Sequence, residues 1–190
     1  MKPAVIIVDM LEDSFREPRN PGREEEKIVQ PMAGFLKRCR SLSIPVIFAN
    51  DSFLREDFFF KGSKMKPYAI RGTAGEQVLH DLTPEPGDII LPKRKFSAFL
   101  KTDLDQTLTA YGLDTVAIGG INTHVCVIAT ALDAICHNFC TILLEDLCAS
   151  ARREHHESTL NNHRRSPLYP LFRVMASQEF LTEYEHAAQA

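Results

Sequence analysis

Six short apolar runs, spaced by helix-period segments and long polar connections, restrict the fold of this chain more than any other feature. They are Ala4–Val8, Pro45–Asn50, Asp88–Leu91, Thr115–Gly119, Thr141–Glu145 and Phe172–Met175. Nearly all are apolar at consecutive positions. Alternation would mark a strand with one wet face, whereas continuous apolarity marks strands covered on both faces, which are parallel strands sandwiched by helices. Helices are expected at Glu25–Leu42, where Ile28, Val29, Met32, Phe35, Leu36 and Cys39 share a face, and at Ala74–Leu82. A further one opens at Thr102-Asp103-Leu104-Asp105, which resembles a capping box, and ends near Gly112. Others are expected at Thr123–Cys136, Arg153–Arg165 and Ser177–Ala187.

This alternation predicts an α/β fold. It would be a single-domain, open, mainly parallel six-stranded sheet with helices on both faces, a Rossmann-like three-layer α/β/α arrangement with right-handed crossovers. No repeat, low-complexity tract or linker divides the chain, and 190 residues with 44% hydrophobic content suit one core, so residues 1–190 are expected to form one domain.

A formal charge of −3 leaves no basic surface of the size nucleic acid requires, and a small-molecule substrate is the expected partner. The run Ala4–Val8 is too short to span a bilayer, and the first ten residues lack the parts of a signal peptide. Five cysteines, Cys39, Cys126, Cys136, Cys140 and Cys148, are scattered without paired metal-site spacing and read as reduced thiols. A cytoplasmic protein without membrane contact is the expectation.

Three strand ends carry reactive side chains. Asp9 follows the first run, Lys93 follows the third, and Cys126 lies shortly after the fourth, beyond the turn Gly119-Gly120 and inside the first turn of a helix. In a doubly wound sheet such ends share one edge, so a carboxylate, an ammonium and a thiol can meet there. A cysteine at a helix start feels the positive end of the backbone dipole, which predicts a lowered pKa and a thiolate at neutral pH. Two long connections leave the same edge. Glu12–Glu26 is charged and contains Pro18, Pro21 and Gly22, and Asp51–Gly72 carries Phe53, Phe58, Phe59, Phe60 and Tyr68 as a lid, a specificity wall or a subunit contact.

The segments VDMLEDSF, PKRKFSAFLKTDLD and GGINTHVCV, in this order and at about this spacing, resemble the isochorismatase-like cysteine hydrolase superfamily. That superfamily includes nicotinamidases, N-carbamoylsarcosine amidohydrolases and ureidoacrylate amidohydrolases, and the resemblance spans nearly the whole chain. It implies an Asp-Lys-Cys triad at Asp9, Lys93 and Cys126, with Lys95 two residues away from the family position. It also implies a cis peptide between Ile121 and Asn122, which turns the backbone N–H groups of Asn122 and Cys126 inward as an oxyanion hole. Phe15, Phe53 and Tyr68 are the candidate pocket residues, and a homodimer or homotetramer is implied.

Nicotinamidases of this superfamily carry a D-x-H motif after the second strand and a later histidine, which together bind a divalent metal. Here the first reads Asp51-Ser52-Phe53 and Tyr68 stands at the later place, so neither a metal nor any other cofactor is expected. Isochorismatases that cleave a vinyl ether lack the cysteine, whereas a thiolate suits acyl transfer at an amide or ureide carbon through a thioester. The alternatives are a vinyl ether hydrolase in which Cys126 is incidental, and a non-catalytic binding member of the fold. Taken singly, Cys126 reads as a small buried hydrophobe, Asp9 as a turn residue and Lys93 as an edge charge. Cys136 and Cys140 read as a buried helix end running into a strand. Arg152–Glu157, with His155 and His156, reads as a polar surface, and Arg71 as a surface arginine.

Overall fold

The computed structural model describes residues 1–16 and 23–189, and Pro18, Pro21 and Gly22 of the first long connection lie outside them. Six strands form one sheet: β1 Pro3–Val8, β2 Val46–Asp51, β3 Ile89–Lys93, β4 Thr115–Ile121, β5 Cys140–Ala149 and β6 Phe172–Met175. Their order is β3-β2-β1-β4-β5-β6 and every pairing is parallel. The sheet is thus wholly parallel, and four of its strands run one to four residues further than the apolar runs alone suggest. The chain moves one way from β1 to β3 and the other way from β4 to β6. Between β1 and β4 lies the topological switch point, where the carboxyl ends open a crevice.

Successive side chains of a strand face opposite sides, so β1 feeds two cores. Val5 and Ile7 pack on one face with Met32, Phe35 and Leu36 of α2 (Val29–Ser41) and with Phe180 and Leu181 of α6 (Ser177–Gln189). Ala4, Ile6 and Val8 pack on the other with α3 (Leu104–Ala110), α4 (Ile128–Cys136) and α5 (Arg153–Arg164) through Leu108, Ala131 and Leu160. No described helix is long and apolar enough to cross a membrane.

Departures from simple periodicity have local causes. The expected Glu25–Leu42 helix breaks at Ile28 into α1 (Glu24–Lys27) and α2. Pro31 has no N–H for the Lys27 carbonyl, and its ring crowds that carbonyl. The expected helix at Ala74–Leu82 is instead two 3-10 turns, Ala74–Glu76 and His80–Leu82. Between them Gln77–Leu79 pairs with the segment after β1, Glu12 N–H to Gln77 O at 3.0 Å and Leu79 N–H to Met10 O at 2.9 Å, so tertiary pairing outcompetes local helix formation. The capping box at Thr102 is half made. The Thr102 hydroxyl accepts the Leu104 N–H at 3.3 Å, and Asp103 makes no side-chain cap.

Candidate active site

All four strand ends around the switch point carry a polar side chain or lead directly to one. Asp9 follows β1 in a left-handed conformation, φ 54°, which non-glycine residues seldom adopt and which clusters at functional positions. Its N–H is held by Ala49 O at 3.1 Å, and its Oδ1 accepts the Asp51 N–H at 2.8 Å. Asp51 and Lys93 end β2 and β3 in register with each other. The Lys93 ammonium therefore reaches over the end of β2, donating to Asp51 Oδ1 at 2.6 Å and Asp9 Oδ2 at 2.9 Å. Lys93 and Asp51 are fully buried, Asp9 is 5% exposed and Cys126 7%.

The nucleophile turn is set by glycine. At Gly120, φ 119°, an added Cβ would stand 2.1 Å from Val8 O and 2.7 Å from Val8 N, so only glycine lets β4 close on the end of β1. The Ile121–Asn122 peptide bond is cis. Thr123–Val127 then winds as a single π turn, Val127 N–H donating to Asn122 O at 3.3 Å, before α4 continues as a regular helix. Side chains pin this turn from three directions. Thr123 Oγ1 meets His156 Nδ1 at 2.9 Å, His124 Nδ1 meets Ser150 Oγ at 2.9 Å, and Thr130 Oγ1 donates to Cys126 O at 2.8 Å. Thr130 Oγ1 also accepts the Ala98 N–H at 3.0 Å, which ties the FSAF segment after Lys93 to the cysteine turn.

Asp9, Asp51 and Cys126 bring their donor atoms within 4.8 Å of one another. Burial and then the negative charge of Asp9 push the Cys126 thiol well above its ordinary pKa, with Lys93 pulling the other way. The expected thiolate is thus corrected. Desolvation and a facing carboxylate favour the protonated thiol there, against the thiolate that the helix start predicts. Burial and Asp9 likewise raise Asp51 to about 7. Burial opposes the Lys93 charge, but the two carboxylates more than offset it and hold its pKa above the usual lysine value. Tyr68 donates its hydroxyl to Asp51 Oδ2 at 2.5 Å, and burial followed by the charges of Asp51 and Asp9 keeps that phenol protonated.

A divalent ion does not suit this donor set. The Lys93 ammonium already takes the cation's place between the two carboxylates, and Lys93 and Tyr68 engage both oxygens of Asp51.

Cys126 and Asp9 open on a cavity of about 210 Å³ whose wall includes Tyr68, Ile121 and Asn122, with Ser14, Arg23 and Glu25 from the segment after β1. The Asn122 N–H donates to no described residue. Of the three aromatic pocket candidates, Tyr68 is on this wall. Phe15 packs instead in the α2 core, and Phe53 is fully buried beneath its own loop with Leu11 and Ala69, its ring edge-on to Phe59, Phe60 and Tyr68. Within the Asp51–Gly72 loop those aromatics are therefore mostly a satellite core, with Phe58 left exposed. Arg71 donates to Ser52 Oγ at 3.0 Å and lines a neighbouring cavity. Cys136 is exposed at the end of α4 and Cys140 half-buried at the start of β5, which corrects the expected buried helix end. His155 is exposed, whereas His156 is half-buried behind Thr123.

Asp51 escaped sequence reasoning, which weighed it only as a fragment of a metal motif. The available signal was its place at a strand end beside those of Asp9 and Lys93. Glu25, Thr130 and His156 offered no comparable signal, since their roles arise from contacts between distant elements.

The fold and the converging strand ends define an open parallel α/β protein with a buried thiol at the switch point. A family model described as an isochorismatase domain matches residues 3–179, and the chain belongs to that family. An isochorismatase-like hydrolase from Alkaliphilus metalliredigens superposes with a TM-score of 0.85 at 30% identity, over 97% of this chain and 100% of that one. N-carbamoylsarcosine amidase from Thermoplasma acidophilum superposes with a TM-score of 0.78 at 31% identity, over 93% of this chain and 97% of the other. Maleamate amidohydrolase of Pseudomonas putida is 26% identical over 166 residues, 84% of this chain and 78% of that protein. The family is one of hydrolases and includes amidohydrolases.

Proposed function

We propose that the protein is a cofactor-free cysteine hydrolase that cleaves the C–N bond of a small amide or ureide. The observation that carries this reading is the convergence of Asp9 and Cys126 on one small cavity, with the buried Lys93 ammonium seated on the aspartate behind it. Because the thiol rests protonated, attack is coupled to proton transfer. Asp9 accepts the thiol proton as Sγ closes on the carbonyl carbon. Charge that develops on the carbonyl oxygen is received by the N–H groups of Asn122 and Cys126, each such donor being worth about 3–4 kcal/mol of barrier. Asp9 then delivers its proton to the departing nitrogen, and a water, deprotonated by the same carboxylate, hydrolyses the thioester. Lys93 keeps Asp9 oriented and offsets the negative charge through both steps, while Asp51, itself held by Tyr68, holds Lys93.

Replacing Cys126 with Ala is expected to lower turnover of an amide or ureide by at least about 10⁴-fold, with the melting temperature changed by only a few degrees. Intact-mass spectrometry of the unsubstituted enzyme, quenched in acid during turnover, is expected to find an acyl adduct on Cys126. Full activity in Cys126→Ala, or pyruvate release from isochorismate that thiol alkylation leaves untouched, overturns the mechanism.

A further inference from the structure

The cavity that holds Cys126 also holds a carboxylate with no part in the steps above. Glu25, the second residue of α1, is 3% exposed and lines the same space of about 210 Å³. Its Oε1 stands 3.4 Å from Arg23 Nη2, and its Oε2 is buried with no hydrogen-bond partner among the described residues. Folded proteins satisfy most of their buried acceptors, and one left open on the cavity of a nucleophile is placed for a bound ligand to complete.

We propose that Glu25 is the specificity-determining residue of this site. Its free oxygen accepts a hydrogen bond from an N–H on the acyl side of the scissile carbonyl, which selects ureides over simple carboxamides. The assignment rests on the hydrolase reading above and adds the substrate class to it. A carbonyl attacked by Cys126 has three directions to satisfy. Its oxygen turns to the N–H groups of Asn122 and Cys126, and its departing nitrogen turns to Asp9. The remaining substituent faces the rest of the described wall, Ser14, Arg23, Glu25, Tyr68 and the apolar Ile121. Tyr68 is committed to Asp51 and Arg23 only donates, so among the described residues there the unpartnered Glu25 Oε2 is the acceptor left open. In a ureide that substituent begins with N–H, and in a carboxamide it begins with carbon. Arg23, beside Glu25, supplies donors for a carboxylate further along the ligand. The volume is below the roughly 300–1,000 Å³ of drug-sized pockets, so the ligand is small.

The chemistry balances without another reactant than water. The S–C bond forms as Asp9 takes the thiol proton, the bond to the terminal nitrogen breaks, and ammonia leaves with that proton. Water then adds to the S-carbamoyl group, the C–S bond breaks, and Sγ is reprotonated. The released carbamic acid separates into carbon dioxide and the amine.

N-carbamoylglycine and succinamate share one skeleton and differ in a single N–H replaced by CH₂, which makes them the test pair. The unsubstituted enzyme is expected to favour N-carbamoylglycine by at least ~10-fold in kcat/KM, and Glu25→Leu to bring the two within about twofold by losing the ureide. Glu25→Gln keeps an acceptor oxygen and is expected to retain most of the preference. A purely structural role for Glu25 lowers both substrates alike and leaves the ratio, which overturns the assignment. Equal turnover of the pair by the unsubstituted enzyme does so as well, even if Glu25→Leu fails to fold. For binding without chemistry, calorimetry on Cys126→Ala is expected to show the same preference, and no binding of either compound overturns it. Cys126-dependent turnover without a Glu25-dependent preference sinks the specificity claim and leaves the hydrolase intact, whereas turnover independent of Cys126 sinks the hydrolase.

Discussion

Lys93 is a lysine with no exposed surface, and its cost is met by two carboxylates that would be equally untenable without it. Removing one member of a buried ionic cluster costs more than the cluster contributes, because charge is left without a partner. Lys93→Met is expected to lose about 3–5 kcal/mol of unfolding free energy near pH 8, along with activity. The sign of its pH dependence follows from Asp51, whose folded pKa is raised to about 7 even with the ammonium present and rises further without it. A group with a raised folded pKa contributes stability below its unfolded value and loses that contribution as pH climbs through the folded one. The deficit of Lys93→Met is therefore expected to shrink as urea titrations move from pH 8 to pH 5, and a deficit that grows on acidification contradicts the ammonium's role. Asp9, Lys93 and Cys126 were legible as residues because each stands at or just beyond a strand end. The protonation state of Cys126 was not, since it depends on how deeply the thiol is buried and on which carboxylate faces it.

The cysteine turn is the element on which the site depends. Gly120 meets β1 so closely that a methyl group would overlap the Val8 carbonyl, and its φ of 119° is one that side chains rarely adopt. Gly120→Ala is expected to cost more than about 3 kcal/mol, from strain plus displacement of β4 from β1. Calorimetric melting of the purified variant checks this, and a shift under 2 °C rules out the packing described for this turn. Pattern reading located the strand, the glycines and the helix after them, but not the π turn that joins them. That turn is held by Thr123, Thr130, His156 and His124 through partners 4 to 33 residues away in the chain. The Ala74–Leu82 segment makes the same point in reverse, since its helical spacing yields to pairing with Leu11 and its neighbours.

Across the molecule, one sheet separates two apolar cores, and both are needed to cover it. Phe180→Ala, in the core beneath α6, is expected to cost about 3–5 kcal/mol. If residues 1–190 fold as one unit, that loss shifts a single transition seen alike by tyrosine fluorescence and far-ultraviolet circular dichroism. Two separated transitions mark independent units. Strand number, parallel layering and the sheet edge that bears the chemistry were all determined by the order of apolar runs, because strands covered on both faces admit few topologies and place their ligands at the carboxyl ends. What only the tertiary structure decided are relations across that edge: Tyr68 holding Asp51 and Asp51 holding Lys93, Glu25 left open on the cavity, Phe15 and Phe53 drawn into cores, and burial with Asp9 raising the Cys126 pKa. Periodicity is set by each residue's neighbours in the chain, whereas burial and charge balance are set by its neighbours in space.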